Sequence, residues 1–260
     1  MYPARGARDA YPASRRLEAR LRSRPEPRSL LAACSQQTSA SLYRVHDDPA
    51  LRAHTQATAQ TTSKDPTVGQ LWGSFQTSLA SAKSMRIAGT MQFDKKPATV
   101  EMSGTCDGSN GRSTITLGDQ SLEVTTVSGT YYVKANGAYW RAHGMAPAQI
   151  IELGSRYLAT TDPSLGQYNV SSIVGSLKTT QPITYGMGVI AEKSSLTGRP
   201  VYLFSVSTKE GRITIWVTDT AYTLLNVRFE SPDGTDEFTF SEWNSPVNYQ
   251  APPPAQIIKL

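Results

Sequence analysis

The chain has 260 residues, 38% of them hydrophobic and 18% charged, with a formal net charge of +5. This lies within the usual range of globular proteins and sets a prior of one or two domains. Nowhere does the sequence reach the roughly 18 consecutive apolar residues that a membrane-spanning helix needs. The charge excess is local. Arg5, Arg8, Arg15, Arg16, Arg20, Arg22, Arg24 and Arg28 face only Asp9, Glu18 and Glu26 in the first 33 residues, and the remaining chain is balanced. A basic isoelectric point confined to a leader is no argument for nucleic-acid binding.

In chain order, residues 1–33 read as a signal-like or mis-assigned leader rich in Arg, Pro and Ala, without a repeating hydrophobic face. It ends in Leu31-Ala32-Ala33-Cys34, which fits a lipobox, the bacterial signal for attaching a diacylglyceryl group to the cysteine thiol. The apolar core of about 7–15 residues expected upstream of such a site is missing, because residues 23–29 read Ser-Arg-Pro-Glu-Pro-Arg-Ser. The expectation is therefore that the true reading frame carries an apolar run before Leu30. The bland alternative is a chance Leu-Ala-Ala-Cys before a linker. Residues 34–65 are Ser, Thr, Gln and Ala with scattered charge, a composition too poor in apolar area to order itself, and they read as a polar tether.

A folded domain is expected over 66–248. Asp65 and Pro66 suit a helix start, and Val68, Leu71, Trp72, Phe75, Leu79 and Ala82 recur at helical spacing up to Lys83. Short strand-like runs follow at 85–93, 98–103, 112–117, 122–127 and 130–134, separated by turn residues at roughly ten-residue spacing, which signals an antiparallel meander. Ala135-Asn136-Gly137 reads as another hairpin turn. Two helical segments are expected next, one opened by Pro147 and reaching Tyr157 and Leu158, the other opened by Asp162-Pro163 and reaching Leu177. Strands resume at 184–191, 200–206, 212–217, 222–230 and 235–243, and residues 249–260 form a Pro-rich arm unable to serve as an inner strand. The expected class is α+β: one large, curved antiparallel sheet of about 10–11 strands with helices on its concave face.

Candidate chemistry is sparse. The sequence contains no HExxH, CxxC, Walker loop, GxSxG or GxGxxG motif, and Cys34 and Cys106 are too few for a disulfide scaffold. A Cys34–Cys106 disulfide in an exported, unlipidated chain is the alternative to acylation of Cys34. His143 lacks a partner at a telling spacing and reads as a loop histidine, while His46 and His54 fall in the tether. Asp236 and Glu237 beside a hairpin turn make an unconvincing glycosidase pair. No enzyme activity, metal or cofactor is expected. Helix faces and strand alternation nominate Leu71, Phe75, Leu79, Ile151, Leu158, Ile173, Ile213, Ile215, Val217, Leu225, Val227 and Phe229 as the lining of an apolar cavity.

The order of these pieces resembles the LppX/LprAFG family of actinobacterial lipoproteins, which have a LolA-like fold. The likeness spans roughly residues 67–258 and rests on four stretches. They are Ala82-Lys83-Ser84-Met85-Arg86-Ile87-Ala88-Gly89-Thr90, Thr130-Tyr131-Tyr132-Val133-Lys134 through Tyr139-Trp140, Thr197-Gly198-Arg199-Pro200-Val201-Tyr202, and Phe240-Ser241-Glu242-Trp243-Asn244-Ser245-Pro246-Val247. The resemblance implies a half-open barrel that holds lipid or glycolipid acyl chains outside the cytoplasmic membrane. A membrane anchor at Cys34 and an envelope transporter as partner would go with it. The competing expectation is a surface lipoprotein that scaffolds another protein and carries no lipid.

Overall fold

The turn residues between the expected strands are where the chain reverses. The computed structural model describes residues 65–93, 95–180, 187–207 and 211–259, so the leader and the tether up to residue 64, Cys34 included, lie outside the described residues. Helix α1 (Val68–Ser81) leads into a meander of β1 (Ser84–Phe93), β2 (Lys96–Thr105), β3 (Asn110–Leu117), β4 (Gln120–Val127) and β5 (Thr130–Ala135). Helices α2 (Gly137–Ala142) and α3 (Pro147–Leu153), strand β6 (Tyr157–Thr160), a 3-10 turn (Pro163–Tyr168) and α4 (Val170–Thr179) come next. A second meander runs through β7 (Glu192–Leu196), β8 (Arg199–Ser207), β9 (Arg212–Thr218), β10 (Leu224–Ser231) and β11 (Gly234–Ser241), and the chain ends in β12 (Ile257–Lys259).

All these strands join one 12-stranded sheet in the order β12-β6-β5-β4-β3-β2-β1-β11-β10-β9-β8-β7. The sheet is open and antiparallel throughout, except that β12 runs parallel to β6. The two meanders fuse where β1 pairs with β11, placing Ile87 opposite Phe240 and Gly89 opposite Phe238. The α+β class expected from the sequence is the one observed, with β6 and β12 added at one edge of the sheet.

Helix α1 begins at Thr67 rather than Asp65. Thr67 Oγ1 accepts the Gln70 amide and Gln70 Oε1 accepts the Thr67 amide, which together form a capping box. The next two orphan amides, of Val68 and Gly69, donate to the carbonyls of Val189 and Met187 at 2.8 Å. Asp65 instead fastens the domain entrance to the β7–β8 edge, accepting the Tyr202 hydroxyl at 3.0 Å and pairing with Lys193 at 2.6 Å. Beyond the helix, the Lys83 amide donates to Asn244 Oδ1 and Ser84 Oγ to the Ser245 carbonyl, so α1 is tied down at both ends.

Four expectations need correction. The Asn136 turn caps a helix rather than a hairpin: its Oδ1 accepts the Tyr139 amide, and α2 follows because Trp140 buries its ring and donates Nε1–H to the Ala135 carbonyl. The helix opened by Pro147 stops at Leu153, where Gly154 adopts φ 54°, a conformation costly for residues with a Cβ, and Tyr157 and Leu158 belong to β6. The segment after Asp162 divides into the 3-10 turn and α4, since Asn169 Oδ1 accepts the Ser172 amide and starts a new helix. The strand expected at 184–191 is found at Glu192–Leu196, while residues 181–186 lie outside the described residues.

The Pro-rich arm straps the sheet. Tyr249 and Asn110 exchange two hydrogen bonds of 2.8 Å, and the Arg112 guanidinium lies 5.2 Å from the centre of the Tyr249 ring. Past Pro252–Pro254 the chain supplies β12, an edge strand, which is the position that proline-rich segments tolerate. Among the described residues no helix is long and apolar enough to cross a membrane.

Candidate functional site: the apolar face of the sheet

Period-two alternation puts one side chain in two on each face of the sheet, and here the two faces differ in kind. One inner row runs through Phe204, Ile215, Val227, Phe238, Gly89, Val100, Ile115 and Leu122, each the register partner of the next. A neighbouring row runs through Phe240, Ile87, Met102, Ser113, Val124, Val133 and Leu158. Over these rows α1 lays Val68, Leu71, Phe75 and Leu79, and α4 lays Val170, Ile173, Val174 and Leu177. Gln76 Nε2 donates to the Leu177 carbonyl and couples the two helices. Trp140 of α2 and Leu153 of α3 complete a single apolar interior. Every methionine beyond Met1, namely Met85, Met91, Met102, Met145 and Met187, lies in or against it.

The outer face is mostly polar and carries ion pairs. Arg86 pairs with Glu101, Arg228 with Glu237 at 3.1 Å and Arg112 with Glu123 at 3.8 Å, while the Tyr157 hydroxyl donates to Glu123. Exposed pairs of this kind contribute only about 0–1 kcal/mol each. Their significance is placement: they belong to water and leave apolar chemistry to the other face.

Leu71, Phe75, Leu79, Leu158, Ile173, Ile213, Ile215, Val217, Val227 and Phe229 all meet in this interior. Leu71, Phe75, Leu79, Ile215 and Val217 are 0% exposed, so neighbouring atoms close over them and no open space stands against them. Two nominees do not belong. Ile151 is 82% exposed, because α3 turns Leu153 inward and carries Ile151 on its water side. Leu225 is half-buried outside the core, because a bulge between Leu224 and Asn226 brings Leu224 onto the inner face opposite Val217. The inner side chains of β1–β5, such as Ile87, Val100, Met102 and Ile115, were not nominated, although the alternation of Val100 and Met102 with Thr99, Glu101 and Ser103 marks them.

Asp236 and Glu237 are neighbours on one strand and therefore point to opposite faces. Glu237 faces the outer ion pair. Asp236 faces inward opposite Phe229 and accepts the Gln92 amide at 2.7 Å, where β1 and β11 part. Burial raises its pKa, partly opposed by that hydrogen bond. His143 closes α2 with its ring stacked on Tyr139, centroids 3.9 Å apart. Cys106 is a half-buried free thiol whose pKa burial raises, and Cys34 lies outside the described residues. Among the described residues no group of three or more His, Cys, Asp or Glu is placed to hold a metal ion.

No family model matches the chain, and no curated protein matches it. Solved structures with a similar course of chain include LprF from Mycobacterium bovis, at 15% identity and a TM-score of 0.48, covering 72% of this chain and 99% of that one. Lipoprotein LppX from Mycobacterium tuberculosis aligns at 15% identity and a TM-score of 0.43, covering 70% of this chain and 98% of that one. A LolA superfamily protein from Nitrosomonas europaea aligns at 9% identity and a TM-score of 0.26, covering 72% of this chain and 95% of that one. LprF and LppX are of the lipoprotein group that the sequence resembles.

Proposed function

We propose that this protein is a lipoprotein of the cell envelope, anchored through Cys34, that binds lipid acyl chains between sheet and helices and catalyses no reaction. The observation that carries this reading is the contrast of faces: a mostly polar outer surface bearing ion pairs, and one continuous apolar interior roofed by helices α1 to α4. Each methylene moved from water into such an interior gains about 0.8 kcal/mol, so a long chain needs no polar anchor. Because Leu71, Phe75 and Leu79 are fully covered, cargo enters by parting α1 and α4 from the sheet rather than by filling a standing void. Methionine suits that demand, since its unbranched, polarizable side chain repacks readily around different shapes.

The test is mass spectrometry of solvent extracts from the purified protein, together with titration of a fluorescent C16 fatty acid. Co-purified lipid and saturable uptake are expected, with uptake weakened by Leu71→Trp. Absence of both overturns the reading. Anchoring is tested separately, since Cys34→Ser should move the protein from the membrane fraction to the soluble one. The same closed packing at Leu71, Phe75 and Leu79 favours a second reading, a tethered scaffold without cargo, which predicts no lipid in the extract.

A further inference from the structure

Of the four tryptophans, Trp72, Trp140 and Trp243 lie in or against the core, and Trp216 does not. Ile213, Ile215 and Val217 are buried on the inner side of β9, so Trp216 stands half-buried on the outer face. Its register partners are Leu203 on β8 and Asn226 on β10. On that face it stands beside Leu203 and, one pair along, buried Val201, a small apolar patch separate from the core.

Its neighbour is also unusual. Asn226 is 5% exposed, and its Nδ2 donates to Glu237 Oε1 and Thr239 Oγ1, both at 3.3 Å and both on β11. The amide nitrogen is thus turned to β11, and the amide oxygen is buried without a hydrogen-bond partner. A buried acceptor left unsatisfied opposes folding, since it has given up its water without a replacement. Beside it Arg228 donates to Glu237, and these two side chains are 44% and 40% exposed.

We propose that the outer face around Trp216, Asn226, Arg228 and Glu237 is a glycan-binding platform, and that its ligand class is an N-acetylated amino sugar. The ligand must offer a flat apolar face to an indole, an N–H or O–H donor to Asn226 Oδ1, and both donors and acceptors to Glu237 and Arg228. A pyranose ring carries an apolar C–H face and a rim of hydroxyls, and an acetamido group adds an amide donor. An acyl chain supplies no donor. A phosphodiester supplies only acceptors and meets the Glu237 carboxylate. The Asn226 oxygen is covered in the free protein, so binding requires the side chains over it to move aside while the indole stacks on the sugar. This surface lies on the opposite side of the sheet from the apolar interior, so the proposal stands independently of lipid binding.

The experiment is calorimetric titration of the full chain with the hexamer of N-acetylglucosamine, with analytical ultracentrifugation at the same concentrations. Saturable binding is expected. Trp216→Ala should weaken it by about tenfold or more and Trp216→Phe by less, as aromatic stacking and a hydrogen bond of ordinary strength would require. Glu237→Gln, a change at the exposed rim that leaves the indole in place, should weaken it by about threefold to tenfold. Circular dichroism checks that each variant is folded. No binding by the intact chain, or binding indifferent to both Trp216→Ala and Glu237→Gln, overturns the proposal. So does a dimer that dissociates on Trp216→Ala, which would assign the ring to a second copy of the chain.

Discussion

Asp236 shows how one side chain can serve the backbone and still oppose the fold. Its carboxylate replaces a missing ladder acceptor for Gln92 while facing the apolar side of the sheet. Its folded pKa is raised above the ordinary value of 3.8, chiefly by burial. The folded state therefore favours the neutral acid, and stability falls as the pH rises from below that ordinary value through the folded pKa. Asp236→Asn keeps an oxygen for Gln92 and removes the charge. Thermal unfolding should show the variant more stable than the wild type at pH 7 and level with it near pH 3. Asp107 behaves oppositely: hydrogen bonds from the Thr105 hydroxyl, the Ser109 amide and the Ser109 hydroxyl lower its pKa, so its contribution is present at neutral pH and lost on acidification. Gly89 sits at a tighter place. A Cβ there would stand 1.9 Å from the Glu237 carbonyl oxygen, where β1 and β11 approach. Gly89→Ala should cost about 3 kcal/mol in urea unfolding, the upper part of the range for overpacked sites.

Among the elements, the C-terminal strap offers a test, because of its described residues only the half-buried Ile258 packs against the core. Ending the chain after Asn248 removes the paired hydrogen bonds of Tyr249 with Asn110, the Arg112–Tyr249 contact and the cover of the β6 edge. The shortened protein should keep its β-rich circular dichroism spectrum but lose about 2 kcal/mol, near 1 kcal/mol for each hydrogen bond. Light scattering should show aggregation through the uncovered edge. Legibility at this scale followed length and period. Helix α1 and the hairpin meanders were readable because a long apolar period, or an alternating run between turn residues, has one cheap backbone solution. Helix α2 was not, since six residues carry too little period and Asn136-Gly137 is also good turn chemistry. The Leu225 bulge was equally hidden, because one extra residue in a strand shifts the faces without altering composition.

For the whole molecule, the decisive contact is β1 with β11, which joins two local meanders into one sheet and one apolar interior. If that interior takes lipid, binding to the folded state alone must raise its stability. At a free ligand concentration of 100 times Kd the gain is about 2.7 kcal/mol. A fatty acid should then raise the melting temperature by roughly 5–10 °C for a domain of this size, as differential scanning calorimetry would show, while a short-chain control should leave it unchanged. The strand-by-strand alternation, the turn positions, the absence of common catalytic motifs and the one-sided apolar pattern were all determined by the sequence alone, since each depends on residues a few positions apart. Which rows lie next to each other, that Asn226 keeps an unpaired oxygen beside Trp216, that Ile151 faces water and that Leu71 and Phe75 are sealed were decided only in three dimensions. Those facts depend on which strands pair, on the placement of single side chains across them, or on the packing of one layer over another, and none of these leaves a periodic trace in the chain.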